Sequence, residues 1–124
     1  MTRPKLLIDC DPGHDDAVAL LFGARHFDLV GVTTTHGNSS LANSTRNALA
    51  VLELARAGHI PVAKGCDLPL IQPSLLAPET HGDTGLGYAQ PPAARKSPLV
   101  QHAVDFLIER VLAAPGEYTL VCIG

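Results

Sequence analysis

The sequence predicts an α/β protein with a Rossmann-like parallel sheet and flanking helices. Short apolar segments rich in β-branched residues alternate with segments of helical periodicity, and the apolar runs lack the polar alternation of a half-exposed sheet. Alternating strands and helices imply right-handed crossovers, which make the strands parallel. A chain of 124 residues is long enough for one small domain or for one part of a larger one.

The first half of the chain alternates between three strands and two helices. Consecutive apolar residues at Leu6–Ile8 indicate a strand covered on both faces, and Asp11-Pro12-Gly13 ends it. The acidic residues from Asp15 onward complement the positive end of the dipole of the first helix. Gly58 is suited to end the second helix. The predicted elements are a strand at Lys5–Cys10, a helix from about Asp15, a strand at Leu29–Thr35, a helix at about Ser40–Ala57 and a strand at Ile60–Ala63.

The second half begins with a long segment, residues 66–97, that is rich in proline and glycine and has no sustained period. Such a long irregular stretch inside a compact domain indicates a loop that serves a site. A helix at Gln101–Ala113 and a strand at Tyr118–Ile123 follow. The last strand is as apolar as an interior strand, yet no helix follows to cover it. We therefore expect the fold to be truncated after its fourth strand.

Composition limits the classes of function. The formal charge of −3 provides no basic stripe, which argues against nucleic acid as a partner. Three cysteines form no CxxC pair, which favours reduced thiols and a cytoplasmic protein. The apolar run before Asp9 is too short for a signal peptide or a membrane span. We expect a soluble protein with no membrane contact.

Four aspartates, Asp9, Asp11, Asp15 and Asp16, are crowded into eight positions around Pro12-Gly13. Each alone fits a turn or a first helical turn. Together, at ~4–6 Å, two such charges repel by roughly 3–4 kcal/mol, whereas the helix dipole offsets only about 0.3–1 kcal/mol per group. Either some aspartates are protonated or a cation neutralises them. An all-oxygen donor set favours Ca²⁺ first and Mg²⁺ second, and makes zinc a poor candidate.

The acidic segment is expected at the carboxyl end of the first strand, and the turn at Gly37-Asn38 at the carboxyl end of the second. Ligands of open parallel sheets bind at these ends, where the strand order reverses. The two segments should therefore meet in one site.

Five segments stand in a specific order along the chain: Ile8–Ala17, Val32–Asn38, Arg46–Leu49, Pro61–Gly65 and His81–Gly87. Together they resemble the inosine–uridine-preferring nucleoside hydrolase family. The resemblance extends through the whole chain, but it covers only the N-terminal portion of the family's domain.

The resemblance implies a role for five residues. Asp11 and Asp16 would bind Ca²⁺, and Asp11 would also accept a proton from the attacking water. Asp15 would hydrogen-bond the ribose hydroxyls, and Asn38 would position the sugar and the water. His81 would lie at the mouth of the site and contact the substrate, although a solvated turn residue is an equally good interpretation. The implied substrate is a ribonucleoside such as inosine or uridine, and full-length relatives are expected to be homo-oligomers.

Two alternatives remain open from the sequence. Ca²⁺ takes about six to eight oxygen ligands, and Asp11 with Asp16 supplies about three. The chain alone is therefore expected to be inactive or nearly so, and a non-catalytic, truncated domain that at most binds metal or a partner is the main alternative. Asp9-x-Asp11 also suggests a haloacid-dehalogenase-type phosphatase, but that family requires Gly-Thr soon after the second aspartate.

Overall fold

The computed structural model of the protein describes residues 3–124. Its elements alternate in the predicted order. They are β1 (Lys5–Cys10), α1 (His14–His26), β2 (Asp28–Thr34), α2 (Leu41–Leu54), β3 (Val62–Lys64), α3 (Pro78–His81), α4 (Ala103–Ala113) and β4 (Tyr118–Cys122).

The four strands form one parallel sheet in the order β3-β2-β1-β4. The chain moves outward from β1 through β2 to β3 and then returns to the other side of β1. The strand order therefore reverses at β1, and a crevice is expected at the carboxyl end of that strand. The predicted α/β class and parallel sheet are confirmed, and the acidic segment lies at this reversal point.

Helices cover the sheet on both faces, and successive residues of β1 point to opposite sides. Leu6 and Ile8 join the larger apolar cluster beneath α1 and α2. Leu7 packs on the other face with Phe106 of α4. A Cβ at Gly31 would lie 2.6 Å from Phe106 Cζ, so the absent side chain lets α4 approach the sheet. Both faces of β1 are thus buried, as its apolar sequence predicts.

The end of α2 differs from the prediction. The helix stops at Leu54, and Arg56, not Gly58, adopts the left-handed backbone conformation, with φ of 58°. The Ala57 amide donates to the Leu52 carbonyl at 2.8 Å, and the Arg56 amide donates to the Glu53 carbonyl at 3.0 Å. This pair of hydrogen bonds is a Schellman motif, which usually places glycine where Arg56 stands.

The fourth strand lies at an edge of the sheet and is half-exposed, although its sequence is as apolar as that of an interior strand. Leu120 is 43% exposed. Helix α4 also turns apolar side chains outward: Ile108 is 52% exposed and Leu112 is 72% exposed. Leu120 pairs with Leu7, whose side chain packs against α4, so it lies on the α4 side of the sheet. We call the exposed apolar side chains on this side, Val104, Ile108, Leu112 and Leu120, the α4–β4 face.

The long segment between β3 and α4 contains one short helix, α3, which the sequence did not predict. The rest of residues 66–97 has no helix or strand. Throughout residues 3–124, every helix is too short or too polar to cross a bilayer.

The three thiols differ in accessibility, and none forms a disulfide. Burial raises the pKa of Cys10 well above its usual value of 9.0, and the carboxylates of Asp16, Asp9 and Asp11 raise it further. We expect a thiol reagent such as DTNB to label exposed Cys66 and Cys122 readily and to reach Cys10 only after unfolding. Mass spectrometry of labelled peptides would check this, and rapid native labelling of Cys10 would contradict the buried environment.

Candidate metal and substrate site

The acidic segment forms the loop between β1 and α1, and its two most buried carboxylates are Asp11 and Asp16. They are 7% and 3% exposed. The Asp11 backbone amide donates to Asp16 Oδ2 at 2.8 Å. Asp16 lies in the first turn of α1, so this bond joins the end of the strand to the start of the helix. The loop therefore holds two carboxylates close together at a buried strand end.

Asn38 approaches this pair from the turn after β2. Its backbone amide donates to Asp11 Oδ2 at 2.6 Å, and its side-chain Nδ2 donates to the Asp11 carbonyl at 3.2 Å. A Cβ at Gly37 would overlap Asp11 Oδ2. The Gly37-Asn38 turn thus fits around Asp11, because residue 37 has no side chain and residue 38 supplies two donors.

The other two aspartates have different surroundings. Asp9 Oδ1 accepts a hydrogen bond from Thr33 Oγ1 at 2.5 Å, and its backbone carbonyl accepts from Ile123 and Gly124. Asp9 is thus tied into the sheet through both its side chain and its backbone. Asp15 is exposed in the first turn of α1. Its position leaves the carboxylate accessible to a ligand over the loop.

His81, at the end of α3, is buried against the acidic loop. Its Nδ1 accepts a hydrogen bond from the His14 backbone amide at 3.4 Å, and its ring stacks on His14 with 5.3 Å between centroids. A Cβ at Gly13 would lie 2.6 Å from His81 Cε1. Burial against the loop does not fit a solvated turn residue. The structure thus places His81 against the Gly13–His14 part of the acidic loop, near Asn38.

The electrostatics of the buried pair favour a cation. Burial raises the pKa of Asp16 from 3.8 to about 7; its side-chain hydrogen bond with Asp11 and the charges of Asp11 and Asp15 also raise it, while the Asp11 backbone amide lowers it. Without a counterion the pair holds a proton near neutrality. An oxygen-only, anionic and buried donor set fits a hard divalent cation. Across residues 3–124, no group of three or more His, Cys, Asp or Glu side chains is placed to hold a metal ion.

The raised pKa of Asp16 predicts how stability depends on pH without metal. Folded chain keeps the Asp16 proton up to about pH 7, whereas unfolded chain loses it near 3.8. Between these values the unfolded state binds fewer protons, so the free energy of unfolding should fall as pH rises. Urea unfolding in EDTA across this range would measure the slope. The Asp16→Asn variant should show a flatter slope, and an equal slope in both proteins would contradict the assignment.

Two residues of this region were given no role from the sequence. His14 is exposed, and its ring stacks on His81. Asn47 is only 1% exposed, and its Nδ2 donates to the carbonyls of Pro12 at 3.1 Å and Thr84 at 2.8 Å. The available signal was a cluster of polar residues, Ser44, Thr45 and Asn47, on the buried face of α2.

A groove of about 650 Å³ adjoins the site and is bordered by His14, Glu79, Gly82 and Tyr88. Another groove, of about 620 Å³, lies at the opposite end of the sheet, beside Lys5 and Asp28. Neither groove is lined by Asp11, Asp16 or Asn38, but the first reaches the start of α1 at His14, directly after the acidic loop. The long segment therefore forms one wall of the space beside the acidic loop.

Comparisons with known proteins agree with this geometry. The family model described as inosine-uridine preferring nucleoside hydrolase matches residues 6–124. The inosine-uridine preferring nucleoside hydrolase of Crithidia fasciculata is 41% identical over 97% of this chain and 39% of its own length. The pyrimidine-specific ribonucleoside hydrolase of Escherichia coli O157:H7 is 38% identical over 100% of this chain and 40% of its own length.

A solved structure supports the same relationship. The plant nucleoside hydrolase PpNRh1 superimposes with a TM-score of 0.91 at 37% identity, covering 98% of this chain and 40% of that enzyme. The chain belongs to the inosine-uridine preferring nucleoside hydrolase family. It spans about two fifths of the length of the relatives it matches.

Proposed function

We propose that residues 1–124 form the N-terminal part of a nucleoside hydrolase domain and supply the acidic half of its site. The reaction is hydrolysis of the N-glycosidic bond of a ribonucleoside to free base and ribose. The observation that carries this proposal is the buried Asp11–Asp16 pair at the carboxyl end of β1, with Asn38 donating to Asp11. Family membership and the names of the relatives support the reaction class.

Ca²⁺ is the proposed cofactor, with Asp11 and Asp16 as its ligands. The raised pKa of Asp16 and the all-oxygen donor set support a hard cation at this place. When bound, Ca²⁺ would supply positive charge that favours deprotonation of water and binds vicinal sugar hydroxyls. The two aspartates would hold the ion, and its positive charge would favour loss of the proton whose affinity the raised pKa of Asp16 expresses.

Asp11 is the proposed general base. Its Oδ2 is oriented by the Asn38 backbone amide, so the carboxylate is fixed in position to accept a proton from water. The fixed negative charge of the loop would also stabilise a sugar ring that develops oxocarbenium character as the glycosidic bond breaks. Two hydrogen bonds hold Asp11 in place for these roles: its amide donates to Asp16, and its carboxylate accepts from the Asn38 amide.

Three further residues are proposed to contact the substrate. Asp15, exposed on the loop, would accept hydrogen bonds from the ribose hydroxyls. Asn38 would help position the sugar and the water. His81 would contact the substrate from the long segment at residues 66–97, which supports the proposal that this segment adjoins the site. Base preference is left open, since the named relatives differ in it.

We also propose that the chain by itself has little or no activity, because two carboxylates provide only about three of the roughly six to eight oxygens that Ca²⁺ takes. The complete domain is proposed to be a cytoplasmic homo-oligomer. Its three free thiols are compatible with a reducing compartment.

A chimera tests the proposed reaction. Residues 1–124 would replace the matched N-terminal region of the Crithidia fasciculata relative, and release of ribose from inosine and uridine would be measured. We expect activity that EDTA removes and that Ca²⁺ restores better than Mg²⁺. The 124-residue chain should show no activity under the same conditions. A folded chimera with no activity, or one insensitive to EDTA, would overturn the proposal.

A further inference from the structure

We infer that Asn47 is a positioning residue that joins the acidic loop to the segment carrying His81. This inference deepens the proposed function and depends on it for its significance. Asn47 belongs to α2, which contributes none of the proposed site residues. It reaches both loops through a single side-chain amide.

The amide of Asn47 uses both of its N–H bonds for this purpose. One donates to the Pro12 carbonyl at 3.1 Å and the other to the Thr84 carbonyl at 2.8 Å. Arg46 Nη2 donates to Asn47 Oδ1 at 3.3 Å, which sets the orientation of the amide. A flipped amide would place an oxygen against two carbonyl oxygens. Each polar atom of Asn47 thus has a specific partner.

The two carbonyls that accept from Asn47 lie close in sequence to Asp11 and His81. Pro12 directly follows Asp11 and is fully buried, so its carbonyl needs an internal donor. Thr84 lies three residues after His81, within a turn that closes when the Gly87 amide donates to the His81 carbonyl at 2.8 Å. Asn47 therefore fixes the backbone next to Asp11 relative to the backbone next to His81.

Gly85 shows how closely the junction is packed. Its φ is +86°, and a Cβ there would lie 2.9 Å from Asn47 Nδ2 and 3.2 Å from the Pro12 carbonyl oxygen. A side chain at residue 85 would push the amide and the carbonyl apart. Asn47 and Gly85 thus offer two independent ways to break the same junction from opposite sides.

Hydrogen exchange of the 124-residue chain in EDTA tests the inference. Asn47→Asp keeps the size of the side chain but removes both donors, and Gly85→Ala disturbs the junction by packing. Both variants should speed exchange roughly tenfold or more in peptides covering residues 11–16 and 81–87 together. Val51→Ala, a buried change in α2 away from the junction, is the control for general destabilisation. In this variant, exchange in the two segments should change by the same factor as exchange in the rest of the chain.

Unchanged exchange at either segment in Asn47→Asp, or an equal and global increase in all three variants, would overturn the inference. A second measurement separates it from the proposed function. Calorimetric titration of the chimera with CaCl₂ should show at least a threefold weaker apparent affinity in Asn47→Asp than in Val51→Ala. If the folded chimera with Asn47 intact takes up no Ca²⁺ while the exchange result holds, the calcium assignment fails and the positioning role of Asn47 stands.

Discussion

The Asp11→Asn variant of the chimera is expected to lose about 10³-fold or more in kcat with inosine or uridine. Removing a general base alone costs roughly 10²–10⁴-fold, and this change also weakens a proposed metal ligand. The neutral amide keeps an oxygen that can accept from the Asn38 backbone amide, so the loop should retain its shape. Steady-state kinetics at saturating Ca²⁺ would measure the loss.

Asp28→Asn is the matched control for this change. Asp28 is exposed at the start of β2, at the opposite end of the sheet from Asp11, so its charge should not influence turnover. Circular dichroism would establish that both variants are folded. Full turnover in Asp11→Asn at saturating Ca²⁺ would remove Asp11 from the mechanism.

Gly37→Ala is expected to abolish most of the activity of the chimera without unfolding it. The new Cβ would overlap Asp11 Oδ2, so the carboxylate must leave its place beside the Asn38 amide. Because misplacing a catalytic group by about 1 Å can cost roughly 10²-fold, we expect a loss of at least that size. The apparent affinity for Ca²⁺ should fall as well, and calorimetry would measure it.

Gly31→Ala is the matched control for Gly37→Ala, since it adds the same methyl group at a position away from Asp11. A Cβ at Gly31 would lie 2.6 Å from Phe106 Cζ, so this change disturbs the packing of α4 and leaves Asp11 untouched. It should lower the urea midpoint of unfolding while kcat and calcium affinity stay near those of the parent. A Gly37→Ala variant that keeps its calcium affinity would show that Asp11 tolerates a side chain at residue 37.

Strong local patterns explain why the fold could be predicted. The consecutive apolar residues Leu6–Ile8 predicted a strand buried on both faces. The structure shows this burial, because β1 is a central strand. The start of α2 was also well predicted, since Ser40 caps the helix through a bond from the Asn43 amide. The end of α2 was predicted wrongly. Glycine usually adopts the left-handed conformation at a helix end, which favoured Gly58, but here Arg56 adopts it.

The site was predictable only where its residues are close in sequence or follow strand ends. The Asp9–Asp16 cluster and the Gly37-Asn38 turn met these conditions, and the structure brings Asp11, Asp16 and Asn38 together. Asn47 and His14 did not, because their partners lie 37 and 67 residues away along the chain. Contacts made by an irregular segment have no periodicity from which to infer them. The roles in metal binding and catalysis stay predictions.

The α4–β4 face has a consequence for handling the protein. Ile108, Leu112 and Leu120 present apolar area to solvent beside the free edge of β4, a combination that favours association between copies. Such association should strengthen with ammonium sulfate and weaken on cooling, the reverse of a contact held by ion pairs. Sedimentation velocity at several temperatures would distinguish apolar association from association through ion pairs. The Leu112→Lys variant should remain monomeric.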